Sequence, residues 1–149
     1  MGVKVWHHTS LAVADLDRAV AFYSAAFDYA LLFTERGMAT QIARMTGVRG
    51  LVCDLAQLRS PVSGHVLELI AFKGVGAGEA KPLQPGAAHI AFHVDDLAAA
   101  LAKVTQLGAV PLGEITDFDE GRSVYCREPS GSFFELEQLH ESPDPATER

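Results

Sequence analysis

The amino-acid sequence predicts an α+β fold made of two tandem modules, each with the element order β-α-β-β-β. The first observation is a repeat, in which HTSLAVADLDRAVAF from His8 matches HIAFHVDDLAAALAK from His89 at an offset of 81 residues. The second is a repeated ending, in which GHVLEL aligns with GSFFEL at an offset of 67 and Glu68 falls on Glu135. The third is the order of strand-like and helix-like apolar patterns between these points.

Each module opens with a strand that leads into a capped helix. Residues 5–13 alternate between apolar and polar side chains, as in a strand, and lead to Asp15, which is a good N-cap. After Asp15, apolar residues at helical spacing predict an amphipathic helix. In the second module Asp95 or Asp96 caps a similar stripe, and Gly108 is expected just after the helix end. Short apolar runs then predict three strands per module, at roughly 29–34, 49–58 and 64–72, and at roughly 110–115, 122–127 and 132–139.

These elements predict one domain over residues 1–139. Module 1 spans 5–72, a Gly- and Pro-rich linker spans 73–87, module 2 spans 88–139, and a flexible polar tail covers 140–149. Module 1 has 14 more residues between its His and its Glu than module 2 has. We expect them within the 33–63 segment, as a lid or short helix over a pocket.

Composition excludes several classes of protein. The net charge of −7 and the absence of Lys/Arg clusters argue against a nucleic-acid surface. No apolar run approaches the roughly 20 residues of a membrane span, and the N-terminus lacks the apolar stretch of a signal peptide. A cytoplasmic protein is therefore expected, with Cys53 and Cys126 as free buried thiols.

The repeat duplicates one histidine and one glutamate. Glu68 stands between two leucines of an apolar strand, where a carboxylate is costly to bury unless it is paired or bound to a metal, and Glu135 is in the same situation. The duplication predicts one metal site built from both halves. Nitrogen and oxygen donors suit Zn, Ni, Co, Mn or Fe(II), with open positions for substrate. The four candidate ligands are His8, Glu68, His89 and Glu135.

Three further residues are candidates for substrate binding. His93 shares a strand face with His89, and it either contacts substrate or lies in solvent. Arg122 and Tyr125 precede the last glutamate and would hold a carboxylate or phosphate if they face the pocket, with a solvated Arg and a packed Tyr as the alternative. His7 is expected to point away from His8, and Trp6 is expected in the core.

The pattern resembles the vicinal oxygen chelate superfamily, which includes glyoxalase I, methylmalonyl-CoA epimerase, extradiol dioxygenases, fosfomycin-resistance enzymes and bleomycin-binding proteins. The segments ADLDRAVAFY, GHVLEL, AHIAFHVDDL and EPSGSFFELEQ carry the resemblance, which covers nearly all of residues 5–139. It implies that each module curls into a glyoxalase-like half-barrel, giving a curled mixed sheet around one divalent metal. The implied ligand set is His8, Glu68, His89 and Glu135, which is most similar to that of bacterial glyoxalase I.

Two positions depart from the family pattern. A basic residue that helps to hold glutathione in such enzymes corresponds to Ala12, which puts glutathione as a co-substrate in doubt. Asp28 stands where a glycine usually follows the first helix.

The resemblance leads to three functional hypotheses. The first is a lyase or isomerase that acts through a metal-chelated enediolate on a small carbonyl or thioester substrate, with Glu135 as the base and Glu68 as the second choice. The second is an Fe(II) dioxygenase that uses His8, His89 and Glu135. The third is a metal-free drug-binding protein. A homodimer is expected, and the site is either within one chain or shared across the dimer.

Overall fold

The computed structural model describes residues 2–74 and 84–140. The expected linker at 73–87 lies mostly outside the described residues, and so does the expected tail at 140–149 except for His140. The flexibility expected of the tail therefore stays a prediction.

The element order βαβββ is present in both modules. Module 1 adds a helix between its second and third strands, and module 2 adds a two-residue strand. The elements of module 1 are β1 (Thr9–Ala12), α1 (Leu16–Phe27), β2 (Ala30–Met38), α2 (Thr40–Thr46), β3 (Val52–Arg59) and β4 (Val66–Lys73). Those of module 2 are β5 (His89–His93), α3 (Leu97–Gln106), β6 (Val110–Pro111), β7 (Thr116–Asp117), β8 (Gly121–Arg127) and β9 (Phe133–Leu139).

The strands form two mixed sheets with matching topology. Sheet A has the order β1-β4-β3-β2, and sheet B has the order β5-β9-β8-β6 with β7 also paired to β8. The first and last strands of each module run parallel, with Ser10 beside Glu68 in sheet A and Ala91 beside Glu135 in sheet B. Neither sheet closes into a barrel over the described strands. The α+β fold class predicted from the repeat is therefore confirmed, as two separate mixed sheets.

Matching aspartates start the two long helices. Asp15 has φ −134° and ψ 108°, and its side chain accepts a hydrogen bond from Arg18 N. Asp96 has φ −135° and ψ 106° and accepts from Ala99 N. Such extended N-caps supply an acceptor to an otherwise unpaired N–H of the first turn. None of the helices in residues 2–74 and 84–140 is long and apolar enough to cross a membrane.

Asp28 ends α1 in the left-handed conformation, with φ 58°. Its N–H donates to Ser24 O at 3.1 Å, which closes the last turn of the helix. This conformation favours glycine and is tolerated by aspartate, so the structure explains how Asp28 replaces the usual glycine.

The two modules share one apolar core, which α1 connects to both sheets. Phe27 of α1 stacks on Phe92 of β5 with ring centroids 3.7 Å apart, and Phe22 contacts Phe134 of β9 at 5.6 Å. Leu67 and Leu69 of β4 enter the same core. Trp6, which we expected in the core, is instead 75 % exposed because it precedes β1, which starts at Thr9 and not at residue 5.

A buried carboxylate in the turn between β8 and β9 binds two serines that in turn contact α1 and its N-cap. Glu128 is 1 % exposed and accepts hydrogen bonds from Ser130 N, Ser132 N and Ser132 Oγ at 2.7 to 3.0 Å. Ser130 Oγ in turn donates to Asp15 O, and Ser132 Oγ lies 3.0 Å from Tyr23 Oη. The network therefore joins module 2 to module 1.

We expect Glu128→Ala to lower the free energy of unfolding by about 1–3 kcal/mol, because three buried donors lose their acceptor. Urea unfolding monitored by circular dichroism would measure the change. Glu114→Ala removes the same charge from an exposed side chain and serves as the control. Equal stability of the two variants would contradict a role for Glu128 in the fold.

A second carboxylate, on β3, joins the end of β2 to the end of β4. Asp54 accepts from Lys73 Nζ at 2.8 Å and from Gly37 N at 2.8 Å, and Arg36 lies 3.7 Å away. The hydrogen bonds from Lys73 and from Gly37 N–H hold the pKa of Asp54 below its usual value of 3.8. The charged form of Asp54 is therefore favoured by folding.

A carboxylate with a lowered pKa stabilises the fold above its unfolded pKa and loses that effect as the pH falls through the folded pKa. We therefore expect Asp54→Asn to lower Tm at pH 7, with a gap from the unchanged protein that closes as the pH falls from about 5 to below about 3. Differential scanning calorimetry across this range measures the gap. Asp119→Asn, at an exposed position, should show none. A gap that is independent of pH would contradict the assignment.

Candidate metal site

Each sheet has one face toward the shared core and one face away from it, which we call its outer face. Leu67 and Leu69 pack in the core, so Glu68 between them lies on the outer face of sheet A. Phe134 and Leu136 place Glu135 on the outer face of sheet B by the same alternation. The outer faces therefore hold the polar residues that the repeat singled out.

The first histidine–glutamate pair lies at the open end of the outer face of sheet A. His8 Nε2 is 3.7 Å from Glu68 Oε1, and the two side chains are 34 % and 14 % exposed. Ser10 Oγ donates to Glu68 Oε1 at 3.1 Å, and Gln57 Nε2 donates to Glu68 Oε2 at 3.0 Å. Both carboxylate oxygens of Glu68 are thus oriented by neighbouring side chains.

The second pair has matching geometry on sheet B. His89 Nε2 is 3.3 Å from Glu135 Oε2. The ring of Tyr125 meets His89 edge to face at 4.9 Å between centroids. Burial raises the pKa of Tyr125, and its hydrogen-bonded neighbour Glu135 raises it further. Tyr125 is therefore a neutral phenol at neutral pH.

Corresponding cross-strand neighbours support the two glutamates. Gln57 is the register partner of Glu68 on β3, and Tyr125 is the register partner of Glu135 on β8. The sequence analysis missed Gln57 and Ser10, because a strand pattern gives the face of a residue and leaves its cross-strand partner undefined. Pairing β3 with β4 through the turn at Gly64 would have placed Gln57 opposite Glu68.

The two pairs do not meet within one chain. Over the described residues, no group of three or more His, Cys, Asp or Glu side chains lies close enough together to hold a metal ion. The physical reason is that the sheets turn their inner faces toward one common core, so the outer faces point away from each other. Each chain therefore presents two half-sites, each with one imidazole and one carboxylate.

The three candidate substrate residues lie in different surroundings. His93 is on the outer face of β5, and its Nε2 accepts from Leu139 N at 3.4 Å. Tyr125 is on the outer face beside Glu135. Arg122 is on the opposite face of β8 from Tyr125, where its Nε lies 3.5 Å from Asp117, although it also borders a cleft next to Glu135.

His7 does not point away from His8, so that expectation was wrong. The Nδ1 atoms of the two rings are 2.8 Å apart. Residues 2–8 precede β1, so the strand alternation that we assumed for His7 does not apply there.

The 33–63 segment contains the short helix α2, which covers the far end of the outer face of sheet A. Ile42 of α2 packs with Leu55 and Ile70 in a second apolar cluster. Between α2 and the first pair lies a cleft of about 620 Å³. Its lining includes Phe33, Glu35, Met38, Gln57 and Glu68. A smaller cleft of about 240 Å³ on sheet B includes Glu135, Glu137 and Ser123.

Large apolar side chains are exposed on or beside the outer faces. Phe33 is 46 % exposed, Tyr125 is 43 % exposed and Leu139 is 51 % exposed. Each outer face therefore presents apolar as well as polar side chains.

Comparison with known proteins finds a match to one family model. The model for the Glyoxalase/Bleomycin resistance protein/Dioxygenase superfamily matches residues 6–136. No curated protein matches the chain significantly.

Solved structures share the fold at low sequence identity. A glyoxalase family protein from Bacillus cereus has a TM-score of 0.80 and 21 % identity, covering 95 % of this chain and 97 % of its own. The fosfomycin resistance protein FosX from Listeria monocytogenes, solved with Mn(II) and sulfate, has a TM-score of 0.61 and 18 % identity, covering 93 % and 95 %. TnmS3, an antibiotic binding protein from Streptomyces sp. CB03234, has a TM-score of 0.61 and 20 % identity, covering 94 % and 99 %.

Proposed function

This chain belongs to the Glyoxalase/Bleomycin resistance protein/Dioxygenase superfamily, and on that premise we propose that it is a divalent-metal-dependent lyase or isomerase. Its substrate would be a small carbonyl or thioester compound. The observation that carries the proposal is the duplicated pair of imidazole and carboxylate, held at 3.7 Å and 3.3 Å on the two outer faces. FosX, a structural neighbour, was solved with Mn(II).

We propose that two copies of the chain complete the metal site. His8 and Glu68 of one protomer would join His89 and Glu135 of the partner subunit. This arrangement is supported by the opposite directions of the two outer faces within one chain and by the apolar side chains exposed beside them. A closed dimer with twofold symmetry would then contain two equivalent sites.

The donor set fits a divalent metal. Two imidazole nitrogens and two carboxylate oxygens suit Ni, Co, Zn, Mn or Fe(II) and leave coordination positions open. When bound, the metal would supply Lewis-acid stabilisation of the negative charge that develops on neighbouring substrate oxygens as the α-proton leaves.

We assign proton transfer to Glu135 and positioning to Glu68. Both oxygens of Glu68 accept hydrogen bonds from Ser10 and Gln57, which hold its carboxylate in place. The neutral phenol of Tyr125 donates a hydrogen bond to Glu135 and leaves its carboxylate ionised. A carboxylate with fewer constraints is better suited to take a proton from substrate and return it.

Substrate contacts would come mainly from the outer face of sheet B. Tyr125 lies next to both His89 and Glu135, and His93 is four residues along β5 from His89, on the same face. We propose that both contact the substrate, and that Arg122 contributes from the border of the same cleft.

We expect alanine at His8, Glu68, His89 or Glu135 to reduce the metal content of protein purified without a chelator or a histidine tag. Glu135→Gln should keep more metal than Glu135→Ala while lowering turnover by about a hundredfold or more, because the general base is removed. Elemental analysis, together with α-proton exchange in D₂O on 2-oxoaldehyde and acyl-CoA substrates, measures both properties.

Glu68→Gln is the matched control for this experiment, because it changes the other carboxylate of the site. Full activity of Glu135→Gln would show that the base is misassigned. Iron whose retention depends on His8, His89 and Glu135, and does not depend on Glu68, would instead indicate a dioxygenase.

We expect mixed dimers to separate a shared site from a site within one chain. A His8→Ala chain paired with a Glu135→Ala chain contains one unaltered site if the site is shared. Random mixing of the two inactive proteins should then restore about a quarter of the wild-type activity and metal content. A mixture of His8→Ala and Glu68→Ala chains alters every shared site and should restore neither. Absence of rescue in the first mixture would contradict a shared site.

A second candidate function is metal-free binding of an antibiotic. The observation that favours it is an exposed aromatic side chain in each cleft, Phe33 in the larger one and Phe118 in the smaller one. One structural neighbour is an antibiotic binding protein. Bleomycin binding that survives in the His8→Ala and Glu135→Ala variants of a protein that takes up no metal would support this function over the enzyme.

A further inference from the structure

His8 of the first half-site forms a close imidazole pair with its chain neighbour His7. Their Nδ1 atoms are 2.8 Å apart, and the ring planes meet at 84°. A contact this short between two ring nitrogens requires one to carry hydrogen and the other to accept it. The pair is therefore a directed hydrogen bond, and its direction depends on what His8 does with its other nitrogen.

The position of Glu68 identifies that other nitrogen. His8 Nε2 is the atom that faces Glu68, at 3.7 Å. If His8 binds the metal of the proposed function, Nε2 must be free of hydrogen, because a ligating histidine is neutral and offers a lone pair. The single ring hydrogen of His8 is then on Nδ1, and it points to His7 Nδ1.

We propose that His7 is a positioning residue for the metal site, which accepts the Nδ1–H of His8 and so fixes the tautomer and ring orientation of that ligand. The proposal rests on the proposed function, since it assigns His8 as a ligand. A partner on the outer nitrogen of a ligating histidine also makes the imidazole a better donor. His7 itself would carry its hydrogen on Nε2.

The backbone around the pair is held against module 1. Trp6 Nε1 donates to His8 O at 3.1 Å, and the Trp6 ring meets His65 edge to face at 5.7 Å. His65 Nε2 is in turn 3.0 Å from Thr9 Oγ1. These contacts hold the backbone of His7 and His8 next to the start of β1, although neither residue belongs to the strand.

The second half-site differs at the corresponding position. The residue before His89 is Ala88, which has no side chain that accepts a hydrogen bond. The ring of His89 is instead bordered by Tyr125, edge to face. The orientation of His8 by its chain neighbour is therefore a property of module 1 that the repeat does not duplicate.

The experiment uses the full-length protein and Co(II) alone as the probe, with affinity from titration calorimetry and geometry from the visible spectrum. We expect His7→Ala to weaken Co(II) binding by about tenfold to a hundredfold and to alter the spectrum. His7→Asn should restore both, because its Oδ1 can take the place of the accepting Nδ1. His140→Ala removes an exposed histidine that contacts Phe118 O, and should leave both unchanged.

Long-range ¹H–¹⁵N spectra of the protein loaded with diamagnetic Zn(II) provide a second measurement, which reads the tautomers directly. We expect His8 to carry hydrogen on Nδ1 and His7 to carry it on Nε2. Hydrogen on His8 Nε2, or a His7→Ala variant that binds Co(II) as tightly as the unchanged protein, would overturn the proposal. If His8→Ala lost Co(II) while His7→Ala did not, only this inference would fail. If His8→Ala bound Co(II) normally, the proposed metal site would fail with it.

Discussion

The alternation of side chains along β4 and β9 is the constraint on which the rest of the structure depends. Leu67 and Leu69 in β4, like their counterparts in β9, are fully buried in a core that both modules share. Burial of each such side chain contributes about 1.5–3 kcal/mol, so a one-residue slip that exposed them would be strongly unfavourable. Glu68 and Glu135 are thereby kept on the outer faces, and the back-to-back packing of the modules keeps those faces apart.

The two modules share the same backbone topology, but different side chains surround their glutamates. Ser10 and Gln57 hold the carboxylate of module 1 through both of its oxygens. The corresponding residues of module 2 are Ala91, which has no hydrogen-bonding side chain, and Tyr125, whose phenol is hydrogen-bonded to Glu135. The proposal that both glutamates bind the metal, and that Glu135 also transfers the proton, follows from this difference.

Much of the frame was predictable, because it depends on local patterns. The caps at Asp15 and Asp96, the stop at Gly108 and the repeat of βαβββ all follow from spacing and turn chemistry. The family match agrees with the resemblance seen in the same segments. Periodicity does not show which faces of two modules pack together. The separation of the two histidine–glutamate pairs could therefore not be predicted from the sequence and is seen only in the tertiary structure. The strand periodicity assumed for residues 5–8 also gave wrong predictions, because these residues precede β1: His7 contacts His8, and Trp6 is exposed.

In the proposed dimer, each metal site draws one half from each of two chains. Anomalous difference maps from crystals of the full-length protein grown with Mn(II) would test this arrangement, since they locate the ion without assumptions about its ligands. We expect a peak between His8 and Glu68 of one protomer and His89 and Glu135 of the partner subunit. A peak with ligands from a single protomer, or one away from these residues, would contradict it.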